Sequence, residues 1–226
     1  GTNGDVAWSF TYFYADVVDW YAESVELGPD GRPASTRFGD AWRPLVETQE
    51  TYSVANVAAL NSVGRDQTES RWTLFDGRRL MAVEGRPAEG GAALGPGESI
   101  VNFGDGPWIP GDVDGDGEVR GVSVDYTGLD VAAALDAYES FSKARSVSEF
   151  RDLHTRLGVF GSHFNVADRD GHILATGYHA VPCREALPRD ASGRWAPGAD
   201  PARLLDGTRF GGFTVPFRDD GRVDEQ

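Results

Sequence analysis

The chain has 226 residues and a formal net charge of −15 at pH 7, from 36 acids against 21 basic residues. Such a surface repels a phosphate backbone, which excludes nucleic acid as a partner, and no apolar run reaches the ~20 residues of a membrane span. A hydrophobic content of 40% with six Trp is globular, and no low-complexity linker divides it, so one domain is expected over 1–226. Lys143 stands alone against twenty arginines. An acid-rich, lysine-poor chain suits a high-salt environment, and a GC-rich genome favours the same Arg bias, so both origins stay open. Cys183 is the single cysteine; it forms no intrachain disulfide and reads as a small buried or half-buried thiol.

In chain order, residues 5–13, 19–27, 42–54 and 71–84 carry the aromatic and β-branched residues of strands. Gly28-Pro-Asp-Gly-Arg-Pro33 reads as the turn of a hairpin, and Asp76-Gly77 as a second tight turn. From 85 to 97 the chain is rich in Gly, Ala and Pro, with little to bury, and reads as a surface excursion. Apolar periodicity predicts a helix over 129–144, with Leu129, Ala132, Ala133, Leu135, Tyr138 and Phe141 along one face. A second helix is predicted over 146–157, with Ser146 and Glu149 at its start and Gly158 as its C-terminal cap. Residues 163–168 and 172–181 read as a hairpin turning at 169–171. The tail over 188–201 reads as irregular and 218–226 as a frayed end. The layout is thus strands over 1–84, a loop excursion over 85–121, two helices and a hairpin over 122–184, and an irregular tail over 185–226.

Two stretches have metal-ligand chemistry. Asp16 and Asp19 stand three apart, either as solvated turn acids or as hard oxygen ligands. Asp112-Val-Asp114-Gly-Asp116-Gly117-Glu-Val119 is the front half of an EF-hand-type calcium loop, with acids at alternate positions and a glycine for the sharp turn. Ser123 stands where that loop needs a bidentate Glu, and Pro107-Trp-Ile-Pro110 precedes it instead of a helix, so a second calcium loop and a plain acidic turn both remain open. His154 and His172 show no metal-ligand spacing and are expected at the surface. No nucleophile elbow, zinc-protease, phosphate-loop or dinucleotide motif occurs.

Several of these pieces stand in a telling order. Gly1-x-Asn3-x-x-Val6-x-Trp8-x-x-Thr11 leads into Asp16-x-x-Asp19; Ala167-Asp168-x-x-Gly171-x-Ile173 follows, then Pro182-x-Arg184, and more loosely the glycine-aromatic block 206–217. In this order and spacing the chain resembles the penicillin acylase family of N-terminal-nucleophile amidohydrolases. The resemblance implies an α+β fold, part of a four-layer α/β/β/α arrangement with antiparallel sheets. It implies a segment of a catalytic subunit that hydrolyses the amide carbon–nitrogen bond of an N-acyl substrate such as a penicillin or an acyl-homoserine lactone, hence a role in antibiotic metabolism. It further implies an oxyanion hole built from the Tyr12 backbone N–H and the Asn165 side chain. Strict spacing puts His163 at the asparagine position, whereas Asn165 lies one strand period on and shares its face. Asn165 is favoured here, with a two-residue shift of the strand, and His163 is the alternative, which would make the hole sensitive to pH.

Arg184 is expected to organise the polar network of the site. The resemblance also implies a structural calcium ion at Asp16, the Val18 carbonyl and Asp19; Asp112, Asp114 and Asp116 form a second site if their loop is a calcium loop and not a plain acidic turn, and no organic cofactor is implied. Gly1 has no side chain to attack anything, so the nucleophile is expected in an upstream segment, and residues 1–226 alone are expected not to turn over. The partners implied are that segment, the other subunit and the small-molecule substrate, in an exported enzyme. A calcium-dependent extracellular binding module and a catalytically inactive homologue are the competing readings.

Overall fold

The computed structural model describes residues 1–12, 14–61, 63–88, 91–103, 106–129, 131–159, 161–178 and 180–215. In chain order its strands are β1 (Val6–Tyr12), β2 (Val18–Leu27), β3 (Pro33–Phe38), β4 (Ala41–Pro44), β5 (Val46–Tyr52), β6 (Gln67–Thr73) and β7 (Arg79–Val83). There follow β8 (Gly85–Pro87), β9 (Val101–Phe103), β10 (Gly106–Pro110) and β11 (Val119–Tyr126), helices α1 (Val131–Phe141) and α2 (Val147–His154), and strands β12 (Ser162–Asp168), β13 (Ile173–Tyr178) and β14 (Leu205–Asp206). The chain divides into two compact units. One holds Gly1–Val18, Tyr126–Ala186 and residues 213–215; the other holds Asp19–Asp125 and Leu187–Gly212.

The first unit is a three-stranded antiparallel sheet, β1-β12-β13, with α1 and α2 on one face. Strand β12 alternates strictly: Ser162, Phe164, Val166 and Asp168 are buried, while His163, Asn165 and Ala167 are exposed. That is the pattern of a sheet with one covered face. Phe141 of α1 and Phe150 of α2 stack with ring centroids 4.4 Å apart, and both pack on Phe164. Burying each ring contributes roughly 2–3 kcal/mol. On α1 the buried stripe is Ala134, Ala137 and Phe141, whereas Leu135, expected on that face, is 64% exposed.

The start of α2 is capped as its sequence predicts: Glu149 N–H donates to Ser146 Oγ at 3.2 Å, and the Glu149 carboxylate accepts from Arg145 N–H at 2.8 Å. Its end differs. Thr155, in a right-handed helical conformation, closes α2, and Gly158 lies beyond it, donating to Arg156 O. Asn3 explains the opening turn: its Nδ2 donates to the Ser142 and Ala144 carbonyls beyond α1, and its Oδ1 accepts from Asp5 and Val6 N–H. Asp168 ties the β12–β13 turn to α2. Its carboxylate accepts the N–H groups of Asp170, His172 and Val147, and Gly171 supplies the positive φ of 88° that the turn requires. Burial works to raise the Asp168 pKa, but these donors and the His172 ring hold it below the usual carboxylate range.

The second unit is built on a larger sheet, ordered β4-β3-β2-β11-β7-β6-β5, with β14 parallel to β2 through Leu205 opposite Tyr21 and Asp206 opposite Ala22. Its core gathers Val25, Trp72, Leu74, Leu80, Val83 and Val101. The stretch 42–54, expected as one strand, breaks at Leu45 into β4 and β5, and 71–84 is interrupted by the turn that Asp76-Gly77 predicts. The expected excursion over 85–121 holds a small antiparallel sheet, β8-β10-β9, whose Trp108 packs against that core. The tail over 188–201 makes one bridge, Arg189 to Trp195, where the guanidinium lies 3.4 Å from the indole centroid. The expected frayed end, 218–226, lies outside the described residues. Among the described residues no helix is long and apolar enough to cross a membrane.

Candidate functional site

The uncovered face of the first unit's sheet carries short and polar side chains in register. Thr11, His163 and Gly177 form one rung, Ser9, Asn165 and Ala175 the next, and Ala7, Ala167 and Ile173 the third, all exposed. Both ladders run without a register break from Ser162 to Ala167. The outer edge of β1 is defined by Trp8, which exchanges two hydrogen bonds with Gly1: Gly1 N donates to Trp8 O at 2.7 Å, and Trp8 N to Gly1 O at 2.8 Å. Backbone direction alternates along a strand, so the Tyr12 N–H, four residues on, turns to that same edge. Tyr12 stands opposite Ser162, beside His163.

Arg184 reaches back to Asp16, its Nη2 lying 3.2 Å from both the Asp16 carbonyl and its Oδ2. The guanidinium is mostly buried, while the Asp16 carboxylate is exposed. Val18 is half-buried and ends the first stretch of one unit, and Asp19, which opens the other, is buried. Arg184 thus meets one of the two acids expected as calcium ligands.

The acidic loop of the second unit gains a member that its sequence does not announce. Carboxylate oxygens of Glu84, Asp112 and Asp114 all lie within 4.8 Å of one another. Glu84, 39 residues before the Ser123 that stands at the loop pattern's glutamate position, accepts the N–H groups of Val113, Asp114 and Arg120. Those bonds hold its pKa below the usual range. Asp112 accepts from Gly115 and Gly117 N–H at 2.6 and 2.8 Å. Arg120 binds Asp114 at 2.9 Å and also binds Asp116, whose pKa that contact lowers. The donor set fits a hard divalent cation, with Arg120 as its competitor.

His172 is exposed as expected, and its Nδ1 lies 3.0 Å from Asp168 Oδ2. Asp168, Asp170 and His172 also come close enough to share an ion, but the Asp168 oxygens already accept three N–H groups. His154 departs from expectation. It is buried, its Nε2 lies 2.9 Å from Ser162 Oγ, and its ring packs edge-on against Phe164. Burial, with a smaller contribution from nearby His163, pushes its pKa down to about 4. Its position on the covered stripe of α2, four residues beyond Phe150, was the signal available in the sequence. Cys183 is half-buried, and its N–H donates to Thr214 O at 2.7 Å.

The family model for penicillin amidase matches residues 1–217. No curated protein sequence matches the chain. Among solved structures, a thermostable penicillin G acylase from Alcaligenes faecalis superposes with a TM-score of 0.52 at 21% identity, over 95% of this chain and 30% of that one. The chain therefore spans under a third of the length of that enzyme's chain, and at this identity the likeness shows the fold: antiparallel sheet with two helices.

Proposed function

Because the chain belongs to the penicillin amidase family, we propose that it forms part of an amidohydrolase that cleaves the carbon–nitrogen bond of an N-acyl substrate such as a penicillin or an acyl-homoserine lactone. The observation that carries this reading is the uncovered sheet face, where hydrogen-bonding side chains lie in register beside the outward N–H of Tyr12. In a four-layer arrangement, that face of small residues is the one a second sheet covers.

The chemistry is nucleophilic acyl transfer. A serine at the start of the catalytic chain, in a segment other than this one, attacks the amide carbonyl with its own α-amino group as base. The C–N bond then breaks, the amine leaves with the proton returned by that α-ammonium, and water hydrolyses the acyl ester to release the acid and free the serine. This chain contributes the oxyanion hole: the Tyr12 N–H and one side-chain donor, each lowering the barrier by about 3 kcal/mol. Asn165 is the donor expected from its residue type. The register supports His163 as the closer of the two. His163 is one residue from the level of Tyr12, and Asn165 is three, or ~10 Å along a strand. Arg184 holds the Asp16 segment through its carbonyl and carboxylate, a use suited to a planar fork. Calcium is proposed at Asp16, Val18 and Asp19, and at Glu84 with Asp112, Asp114 and Asp116. When bound it would tie acidic segments together and take no part in the acyl transfer. An exported enzyme is the setting that the family resemblance supports.

The test is hydrolysis of penicillin G by the complete protein carrying His163→Ala or Asn165→Ala. Loss of a hole donor is expected to lower kcat by about 10²- to 10³-fold with little change in KM. Wild-type rates in both variants would sink the oxyanion-hole reading.

A further inference from the structure

Gly177 lies directly opposite His163 in the β12–β13 ladder. A Cβ placed on Gly177 would sit 2.7 Å from His163 Nδ1 and 2.9 Å from its Cε1, far inside contact distance. The imidazole thus leans across the ladder and rests on the bare Cα of its neighbour. Its Nδ1–Cε1 edge faces Gly177, which turns the Nε2 edge away.

The backbone gives no reason for glycine at this position. Gly177 lies inside an extended strand, is not among the glycines with positive φ, and sits in a ladder with no bulge. Glycine in a strand interior weakens it and marks a place where another group comes close. The neighbouring rungs show the contrast: Asn165 faces Ala175 and Ala167 faces Ile173. Of these three exposed positions on β12, only the one that carries an imidazole faces a residue without a side chain.

We propose that Gly177 is a positioning residue, whose missing side chain forms the socket that seats the His163 imidazole on the uncovered face and presents its Nε2 edge there. The socket stands on the contact alone; its consequence for turnover rests on the oxyanion-hole reading. An alanine at 177 evicts the ring and leaves the strand otherwise intact, since extended backbone suits alanine at least as well as glycine.

The experiment is a double-mutant cycle of Gly177→Ala and His163→Asn in the complete protein, read three ways. With His163 present, Gly177→Ala is expected to lower the melting temperature, shift the imidazole ¹H–¹⁵N signals of His163, and reduce kcat on penicillin G roughly tenfold at unchanged KM. With His163→Asn, whose shorter side chain needs no socket, the same alanine is expected to leave kcat where His163→Asn alone puts it and to hold or raise the melting temperature. Equal effects of Gly177→Ala in both backgrounds, or unmoved imidazole signals, would overturn the proposal. Coupling in melting temperature and imidazole signals, with turnover untouched by His163→Ala, would uphold the socket and refute the oxyanion role of His163.

Discussion

Arg78 Nη1 lies 2.5 Å from Glu23 Oε1, and neither side chain reaches solvent. The same guanidinium holds Asp76 through Nε at 2.8 Å and lies 4.3 Å from the Tyr21 ring centroid, while Ser123 Oγ donates to Glu23 at 2.6 Å. Glu23 Oε2 and Arg78 Nη2 have no protein partner among the described residues. Burial raises the Glu23 pKa against the pull of Arg78 and Ser123. Such a pair is a liability when halved, because the survivor keeps a buried charge without its counterpart.

Arg78→Met should therefore cost about 3–5 kcal/mol of folding free energy, and adding Glu23→Gln should return most of it. Urea unfolding of the wild type, the two single variants and the double variant measures this directly. A double variant no more stable than Arg78→Met would mean that the loss comes from packing around the arginine and not from the stranded carboxylate.

The buried His154 gives a stability that depends on pH. Its pKa in the folded state is about 4, against an ordinary value of 6.5. As pH falls the unfolded chain takes up the proton first, so the contribution is fully present above 6.5 and is lost as pH falls through about 4. At ~1.4 kcal/mol per pH unit the whole window is worth roughly 3 kcal/mol. His154→Gln retains a partner for Ser162 Oγ without the titration. Its urea midpoint should fall less than that of the wild type between pH 7 and pH 4, and parallel slopes in the two proteins would assign the acid sensitivity to other groups.

How much of this was legible in the sequence follows from the range of the interactions. Turns and caps are local, so Ser146 and Glu149, Asp76-Gly77 and the 169–171 turn could be read directly. Strand alternation placed His163 and Asn165 on one face. Gly158 was misjudged as a cap because Thr155 closes α2 three residues earlier. The block 206–217 carried no readable chemistry, and the reason is long-range. The Gly207 N–H donates to Ala22 O at 2.8 Å, and a Cβ on Gly207 would fall 2.3 Å from Glu23 Oε1. The glycine lets the tail backbone lie against a buried carboxylate 184 residues away in sequence, which no spacing rule foretells. Glu84 and Gly177 were missed for the same reason: each acts on a loop or a ring that only the fold brings near.

Glu84 makes the acidic loop testable as a calcium site. Its carboxylate joins Asp112 and Asp114 within 4.8 Å, while Arg120 pairs with Asp114, Asp116 and, at 3.8 Å, Glu84 itself. Calcium affinity follows ligand charge count and site rigidity, so the two neighbours should act in opposite directions. Glu84→Gln removes a charged oxygen and should weaken calcium binding about tenfold, and Arg120→Gln removes the competing cation and should strengthen it by a similar factor. Isothermal titration with calcium reads both. Because the proposed Asp16–Asp19 site is left intact in every variant, the loop is followed as the binding step that moves between them. If both variants titrate like the wild type, the loop is an acidic turn whose carboxylates are satisfied by their own backbone and Arg120.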